Sequence, residues 1–424
     1  MTEERKDPEV SLLVVGGGIS GLTTSIEAAE TGYNVFLAEK NAYLGGRVAQ
    51  LNQYFPKLCP PTCGLEINFR HIKDNLRITV QTMAEVEKVE GSPGNYDVDI
   101  KIHPRYVNEN CTCCGACADA CKTEIASDFD FGMKKIKAAY LPLEMAFPAR
   151  YVISPEIIGT EDAQRCMQAC KYDAIDLDMA VKTRHLKAGA IVWATGWQPY
   201  DAGKIDYLGF GRYPNIISNM MLERLAAPNG PTKGKIIRPS DDKEPQSVAF
   251  VQCAGSRDEN YLTYCSYICC MASLKETTYI REQYPDAKVY IFYIDLRAPG
   301  YRYEKFYQQI KADDNVFLIK GKVAEVSEDP DTKDITVVAE NAVTGEKIHQ
   351  SVEMVVLATG MQPTTAIVKP PVDLAYNDDG FIINDFEAGG MFAAGCASKP
   401  ADVVSSNQNA TGMALKAIQT LMNR

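Results

Sequence analysis

Two groups of cysteines have spacings that suit metal ligation. Cys111, Cys114, Cys117 and Cys121 follow C-x2-C-x2-C-x3-C, the run by which a short loop presents thiolates to a cubane iron–sulfur cluster; four thiolates also suit zinc. A truncated second run follows, Cys166 and Cys170 ahead of Asp173-Ala174-Ile175-Asp176. In two-cluster ferredoxins the fourth cysteine of each run serves the other cluster. By that rule Cys111, Cys114, Cys117 and Cys170 hold one cluster, and Cys121 and Cys166 remain from a lost one. If the cluster closes locally, Cys121 takes the place of Cys170. Cys113 lies off the spacing, and Lys122 stands where proline usually follows.

The second group, Cys253, Cys265, Cys269 and Cys270, is spaced C-x11-C-x3-C-C. An adjacent pair is unusual for a cubane, and buried cysteines are common core residues. A second iron–sulfur site is therefore set against simple packing. Cys59 and Cys63 flank Pro60-Pro61-Thr62. They read as half-buried thiols on a rigid turn rather than as a metal- or flavin-directed pair.

The elements that position these cysteines begin with a nucleotide site. Leu12–Val15 is an apolar strand, and Gly16, Gly18 and Gly21 occupy G-x-G-x-x-G. The first glycine makes the turn, the second admits a pyrophosphate, and the third lets helix pack on strand. The helix N-terminus faces the phosphates, and Glu39 ends the next strand where an acid holds a ribose hydroxyl. Gly45-Gly46-Arg47 follows, as in flavoproteins built from two dinucleotide domains, and this resemblance favours FAD over NAD. Lys40, Gly46, Arg47, Val86 and Gly196 join the candidate cofactor-binding set. Gly390–Cys396 is similar to the second FAD signature A-x-G-D, with Gly395 in place and Cys396 where the aspartate stands. Gln408 lies in the helix start that would face the flavin pyrimidine.

The chain also repeats itself. Trp193-Ala194-Thr195-Gly196-Trp197-Gln198-Pro199 is echoed by Leu357-Ala358-Thr359-Gly360-Met361-Gln362-Pro363. This implies an α/β, thioredoxin-reductase-like flavoprotein of Rossmann type with two dinucleotide-binding-domain halves, interrupted by a ferredoxin-like insert. The expected division is 1–105 (FAD domain, first part), 106–176 (insert), 177–240 (FAD domain, second part and connection), 241–365 (second nucleotide-domain-like half) and 366–424 (FAD domain, C-terminal part). The second half has a strand–turn–helix–strand pattern but only Gly255 in its turn, so the cysteine group takes the place of a nicotinamide site.

A length of 424 residues accommodates these domains. The net charge of −11 argues against nucleic acid as a partner. No apolar run precedes the first strand and none is long enough to cross a bilayer, so a cytoplasmic protein is expected. Fourteen cysteines without an export signal read as ligands rather than disulfides.

Val251–Asp258, Tyr264–Met271 and Tyr290–Arg297 resemble the A subunit of heterodisulfide reductase. That resemblance implies a [4Fe–4S] cluster on Cys253, Cys265, Cys269 and Cys270 close to the flavin. It covers nearly the whole chain, which is shorter than methanogen members with their extra N-terminal domain and C-terminal clusters. With Cys59–Glu66, the short form looks most like the A subunit of the quinone-interacting membrane-bound oxidoreductase of sulfate metabolism. The short heterodisulfide reductase-like A subunit of sulfur oxidation is the near alternative. The resemblance implies electron transfer by FAD and one or two [4Fe–4S] clusters. The partners it implies are other subunits of a complex, including a quinone-linked membrane subunit that would attach the protein to the membrane, and adenylylsulfate reductase. The rival is an NAD(P)H-dependent disulfide reductase.

Overall fold

The computed structural model describes residues 10–387 and 389–422. Two parallel sheets of the same strand order form its centre. In the first, Ile78–Thr82, Val35–Glu39, Val10–Val15 and Lys182–Trp193 lie side by side, with Met391–Ala393 beyond. In the second, the order is Val316–Lys320, Lys288–Tyr293, Ser247–Ala254, Met354–Thr359 and Ile216–Ser218. Strands such as Val35–Glu39 and Met354–Thr359 are buried at every position. Unbroken apolar runs of this kind form when both faces of a parallel sheet are covered.

Side-chain alternation divides each sheet into two cores. Leu12 and Val14 pack with residues of the helices Ile19–Glu30 and Val403–Met422, while Leu13 packs with Tyr96, Ile100 and Trp193 on the other face. In the second sheet Val248 and Phe250 meet the helix Cys269–Gln283, and Ala249 and Val251 meet Val326 and Val337. Each half therefore has helices on one face and an antiparallel ribbon on the other.

Lys182–Trp193 serves two ladders in turn. Lys182 to Ala188 pair antiparallel with Ile102 to Tyr96, and Ala188 to Trp193 pair parallel with Val10 to Val15. The second half breaks the equivalent run at Glu353, between Lys347–Val352 and Met354–Thr359. Because Lys182 and Ile102 are register partners, everything between them leaves and re-enters the sheet at one point. That excursion has a small core of its own. Val107, Ala138, Ile153, Ala163 and Ile175 surround Cys117, Cys121 and Cys166, between the short helices Ala116–Ala120 and Glu161–Ala169. Among the described residues, no helix is long and apolar enough to cross a membrane.

Candidate cofactor cavity and cysteine groups

A cavity of about 880 Å³ opens at the C-terminal ends of the first parallel sheet. Gly16, Gly18, Glu39, Lys40, Gly46, Arg47, Val86, Gly196 and Cys396 all line it. The glycines do different work. Gly16 has φ +109°, and a Cβ there would stand 2.3 Å from the Ala194 carbonyl oxygen. A Cβ on Gly21 would stand 1.7 Å from the Gly16 oxygen. On Gly18 the nearest atom is Gly46 Cα at 3.9 Å. Two glycines close the turn, and the middle one leaves an open cradle. On the same wall, Thr195 Oγ1 and Trp193 Nε1 have no hydrogen-bond partner. Such buried groups are costly unless something satisfies them, so the residues present fit a polar ligand laid across the turn.

Glu39 is buried and takes N–H bonds from Gly17 at 2.6 Å and Asn41 at 2.7 Å. Burial raises its pKa against these donors. Arg47 donates through Nε to the Trp197 carbonyl at 3.2 Å and to Gln50 at 2.9 Å. Cys396 is buried, its thiol 3.5 Å from the Ala401 oxygen and pushed up to about 11 by burial, so it stays neutral. Gly395 lies behind the wall, where a Cβ would meet Ser20 Oγ at 2.1 Å. Gln408 is exposed and does not line the cavity. From the same helix start it is Asp402, Val403 and Ser406 that do. Asp402 caps that helix by accepting the Ser405 N–H at 2.7 Å, and an Asp-x-x-Ser pattern before an amphipathic run was the signal for it.

The excursion between Ile102 and Lys182 supplies a wall that motif reading missed. Ser127–Asp130 and Tyr140–Glu144 face the same cavity. Asp130 is tied to Arg224 at 2.9 Å, and Arg224 also reaches the Gln50 carbonyl and stacks on Phe129. Nothing in the local sequence of this loop marks it, because its role depends on where the excursion folds back.

The insert cysteines separate into two sets. Cys111, Cys114, Cys117 and Cys170 border one small cavity. Cys121 lies elsewhere, fully buried, with its thiol 3.5 Å from Asp162 Oδ2 and hydrogen-bonded with Cys166. Asp162 also accepts the Lys122 and Thr123 N–H groups. Burial and the neighbouring Cys121 push Cys166 up to about 12.

Cys253, Cys265, Cys269 and Cys270 surround the C-terminal end of the central strand of the second sheet. Cys253 ends Ser247–Ala254 with φ +58°, and Cys269 and Cys270 begin the next helix. Burial, then the nearby Cys270, pushes Cys253 up to about 11; burial also raises Cys269, with Cys253, Cys270 and Cys265 adding to it. Clustered buried thiols resist ionising until a cation supplies the missing charge. Among the described residues, no three His, Cys, Asp or Glu side chains are gathered closely enough to share a single metal ion. The loop carrying Cys265 is stitched to the ribbon Met361–Pro363. Tyr264 donates to the Met361 carbonyl at 2.6 Å, and the Met361 N–H donates to Ser266 at 2.8 Å. Ile268 and Trp197 pack against the small cluster of Met361, Cys396 and Ala401.

Residues 14–75 match the NAD(P)-binding Rossmann-like domain family. Over 96% of its length the chain is 37% identical to the second iron-sulfur A subunit of the CoB–CoM heterodisulfide reductase of Methanopyrus kandleri, covering 64% of that protein. Over 97% of its length it is 36% identical to the A subunit of the ferredoxin/F420H2-dependent CoB–CoM heterodisulfide reductase of Methanosarcina acetivorans, covering 53%. Over nearly its whole length the chain is thus similar to heterodisulfide reductase A subunits. It spans between about half and two thirds of the length of these relatives. In fold it is similar to the thioredoxin reductase of Lactococcus lactis (TM-score 0.55, 14% identity, 98% of this chain and 100% of that one). It is likewise similar to the bacillithiol disulfide reductase of Bacillus cereus (TM-score 0.54, 12% identity, 98% and 100%). The thioredoxin-reductase-like α/β fold inferred from the glycine fingerprint and the internal echo is therefore the fold of this chain.

Proposed function

We propose that this heterodisulfide reductase A-type chain is an oxidoreductase subunit that binds FAD in the large cavity and iron–sulfur clusters on its cysteines, and passes electrons between them. The observation that carries the reading is adjacency: Ile268, next to Cys269, packs against the small cluster that includes Cys396 and Ala401 of the cavity wall. FAD supplies a two-electron carrier, and an iron–sulfur group accepts single electrons. Gly16, Gly18, Gly21 and the following helix would take the pyrophosphate, Glu39 the ribose, and Thr195 and Trp193 offer unpaired polar atoms to the ligand. Cys111, Cys114, Cys117 and Cys170 would hold one [4Fe–4S] cluster, and Cys253, Cys265, Cys269 and Cys270 another. Cys121 would not be a ligand. Arg47 and Arg224 keep the wall rigid.

The family relationship supports work within a multi-subunit complex. Sequence resemblance to the short quinone-interacting A subunit nominates a quinone-linked membrane partner and adenylylsulfate reductase, with attachment to the membrane through those partners. Anaerobically purified protein should show flavin absorbance with a broad iron–sulfur shoulder, and about eight irons per FAD if both clusters are [4Fe–4S]. Flavin without iron would leave a simple flavoprotein reductase. Protein carrying neither flavin nor iron would sink the proposal.

A further inference from the structure

The helix Cys269–Gln283 carries a buried carboxyl group that the electron path above does not use. Cys269, Ser273 and Glu276 follow one another at i, i+4 and i+7, on one helix face. Glu276 is wholly buried, and neither of its carboxylate oxygens has a hydrogen-bond donor. Its neighbour is another acid, Glu223, on the facing helix Asn219–Ala226. Glu223 is already engaged: it pairs with Lys275 at 2.8 Å and accepts the Asn52 N–H at 2.8 Å and the Tyr279 hydroxyl at 3.3 Å. Lys275 also donates to the Gln53 carbonyl at 2.6 Å.

The charges around Glu276 therefore do not balance without a proton. One lysine faces two carboxylates, and all three side chains are buried. Two carboxylates side by side with no donor between them are tolerable only when they share a proton. Tyr279 and Cys269 are the other titratable groups close to the pair, and burial keeps both neutral. Burial, then Glu223, raises the Glu276 pKa well above the carboxylate range.

We propose that Glu276, paired with Glu223, is the proton site that compensates charge when an electron enters the iron–sulfur group on Cys253, Cys265, Cys269 and Cys270. Where Glu276 is ionised beforehand, one electron arrives at the group and one proton from solvent forms an O–H bond on Glu276; where it is already protonated the electron arrives alone, and no other bond changes in either case. Glu276 lies roughly 10 Å along the helix from Cys269. At that distance, in a medium of effective dielectric about 20, one unit of charge alters proton affinity on the order of tenfold. Linkage is reciprocal, so protonating Glu276 makes reduction of the group easier by the same factor. The position of the acid pair fits this role. It stands between the cysteine group and the 50–53 segment, whose Gln50 lines the large cavity.

The inference rests on the cysteine group holding iron, so iron and flavin are quantified first in the intact protein. Redox titrations then follow the paramagnetic signal of the reduced group across the whole pH range in which the protein stays folded. In the wild type the midpoint should fall with rising pH by the equivalent of about tenfold, ~59 mV for one electron. E276Q, close in shape but unable to give up its proton, should hold iron and lose the dependence. Glu276→Leu removes the unpartnered oxygens altogether and covers the case in which E276Q does not fold. Iron-loaded variants with the wild-type pH slope would overturn the proton site and leave the electron path intact, as would a flat wild-type profile. Protein without iron on this group would overturn both.

Discussion

Gln198 and Gln362 are register partners at the centre of a three-residue antiparallel ladder, Trp197–Pro199 against Met361–Pro363. They are the same position of the repeated A-T-G-x-Q-P turn. The flanking bonds repeat as well: the Tyr200 N–H reaches the Gly360 carbonyl at 2.8 Å, and the Thr364 N–H reaches the Gly196 carbonyl at 3.1 Å. The two halves thus meet about a local two-fold through their equivalent turns. Past that point the symmetry is broken by use. A Cβ on Gly196 would meet nothing within 4 Å, and Gly196 lines the large cavity. A Cβ on Gly360 would stand 2.5 Å from Ser256 Oγ and 2.6 Å from Leu262, under the loop that carries Cys265.

The three glycines of the fingerprint should separate folding from binding. Gly18→Val should give a folded protein that copurifies without FAD, because its side chain enters open space that the pyrophosphate would take. Gly21→Val should not fold stably, since its Cβ would overlap the Gly16 backbone. Circular dichroism with flavin content tests both. A flavin-replete Gly18→Val would remove the cradle from the site.

The repeat was legible because both copies end in an identical short turn that the fold requires twice. Gly16 and Gly21 were legible because the backbone there admits only glycine, and Gly18 because the same spacing reserves its open side for a pyrophosphate. Gln408 and the insert loop were not. Residues that start a helix share a local pattern, and which of them faces a ligand depends on helix rotation set by tertiary packing. The sequence nominated Gln408, and the wall is made by Asp402 and Ser406 two to six residues earlier. Phe129 and Asp130 owe their place on the cavity to Arg224, a residue far along the chain; no local period announces such a contact.

NADH and NADPH should not bleach the flavin rapidly. In the second half the phosphate turn has Gly255 alone, with φ +85°, and the Tyr200 ring covers it: a Cβ there would stand 2.6 Å from Tyr200 Cδ1. Tyr200 is itself buried, against Tyr261. Neither the space nor the row of glycines that a pyrophosphate needs is available. Anaerobic stopped-flow mixing with each nucleotide tests this, and fast bleaching would return the chain to the NAD(P)H-dependent disulfide reductases.

Arg224→Met should cost about 3–5 kcal/mol, the usual loss when one partner of a buried ion pair is removed and the other stays charged. Asp130 would keep only Lys134 at 3.0 Å and Ser127 at 2.8 Å. Because Phe129 and Gln50 meet at the same point on the cavity wall, flavin affinity should fall with stability. A double variant with Asp130→Leu should recover much of the stability, since an apolar pair leaves no charge unpaired. Chemical denaturation of the three proteins measures it. Equal midpoints for wild type and Arg224→Met would show that the tie contributes nothing.

Cys170, not Cys121, should complete the insert group. Cys117 and Cys121 are one helical turn apart, and so are Cys166 and Cys170. In each pair one member borders the small cavity and the other is buried against the opposite pair. Cys170 shares the cavity with Cys111, Cys114 and Cys117. Cys121 instead meets Asp162 Oδ2 at 3.5 Å and Cys166, away from that cavity. Cys170→Ala should therefore lose the iron of the insert, while Cys121→Ala should keep it and lose only packing, in the range of a buried methyl-sized deletion, about 1 kcal/mol. Iron per FAD in the two variants decides the matter, with the cysteines of the second half left intact as an internal standard. Loss of iron in Cys121→Ala with retention in Cys170→Ala would mean that the run closes its cluster locally, and that the cavity bordered by Cys170 is only a gap in the packing.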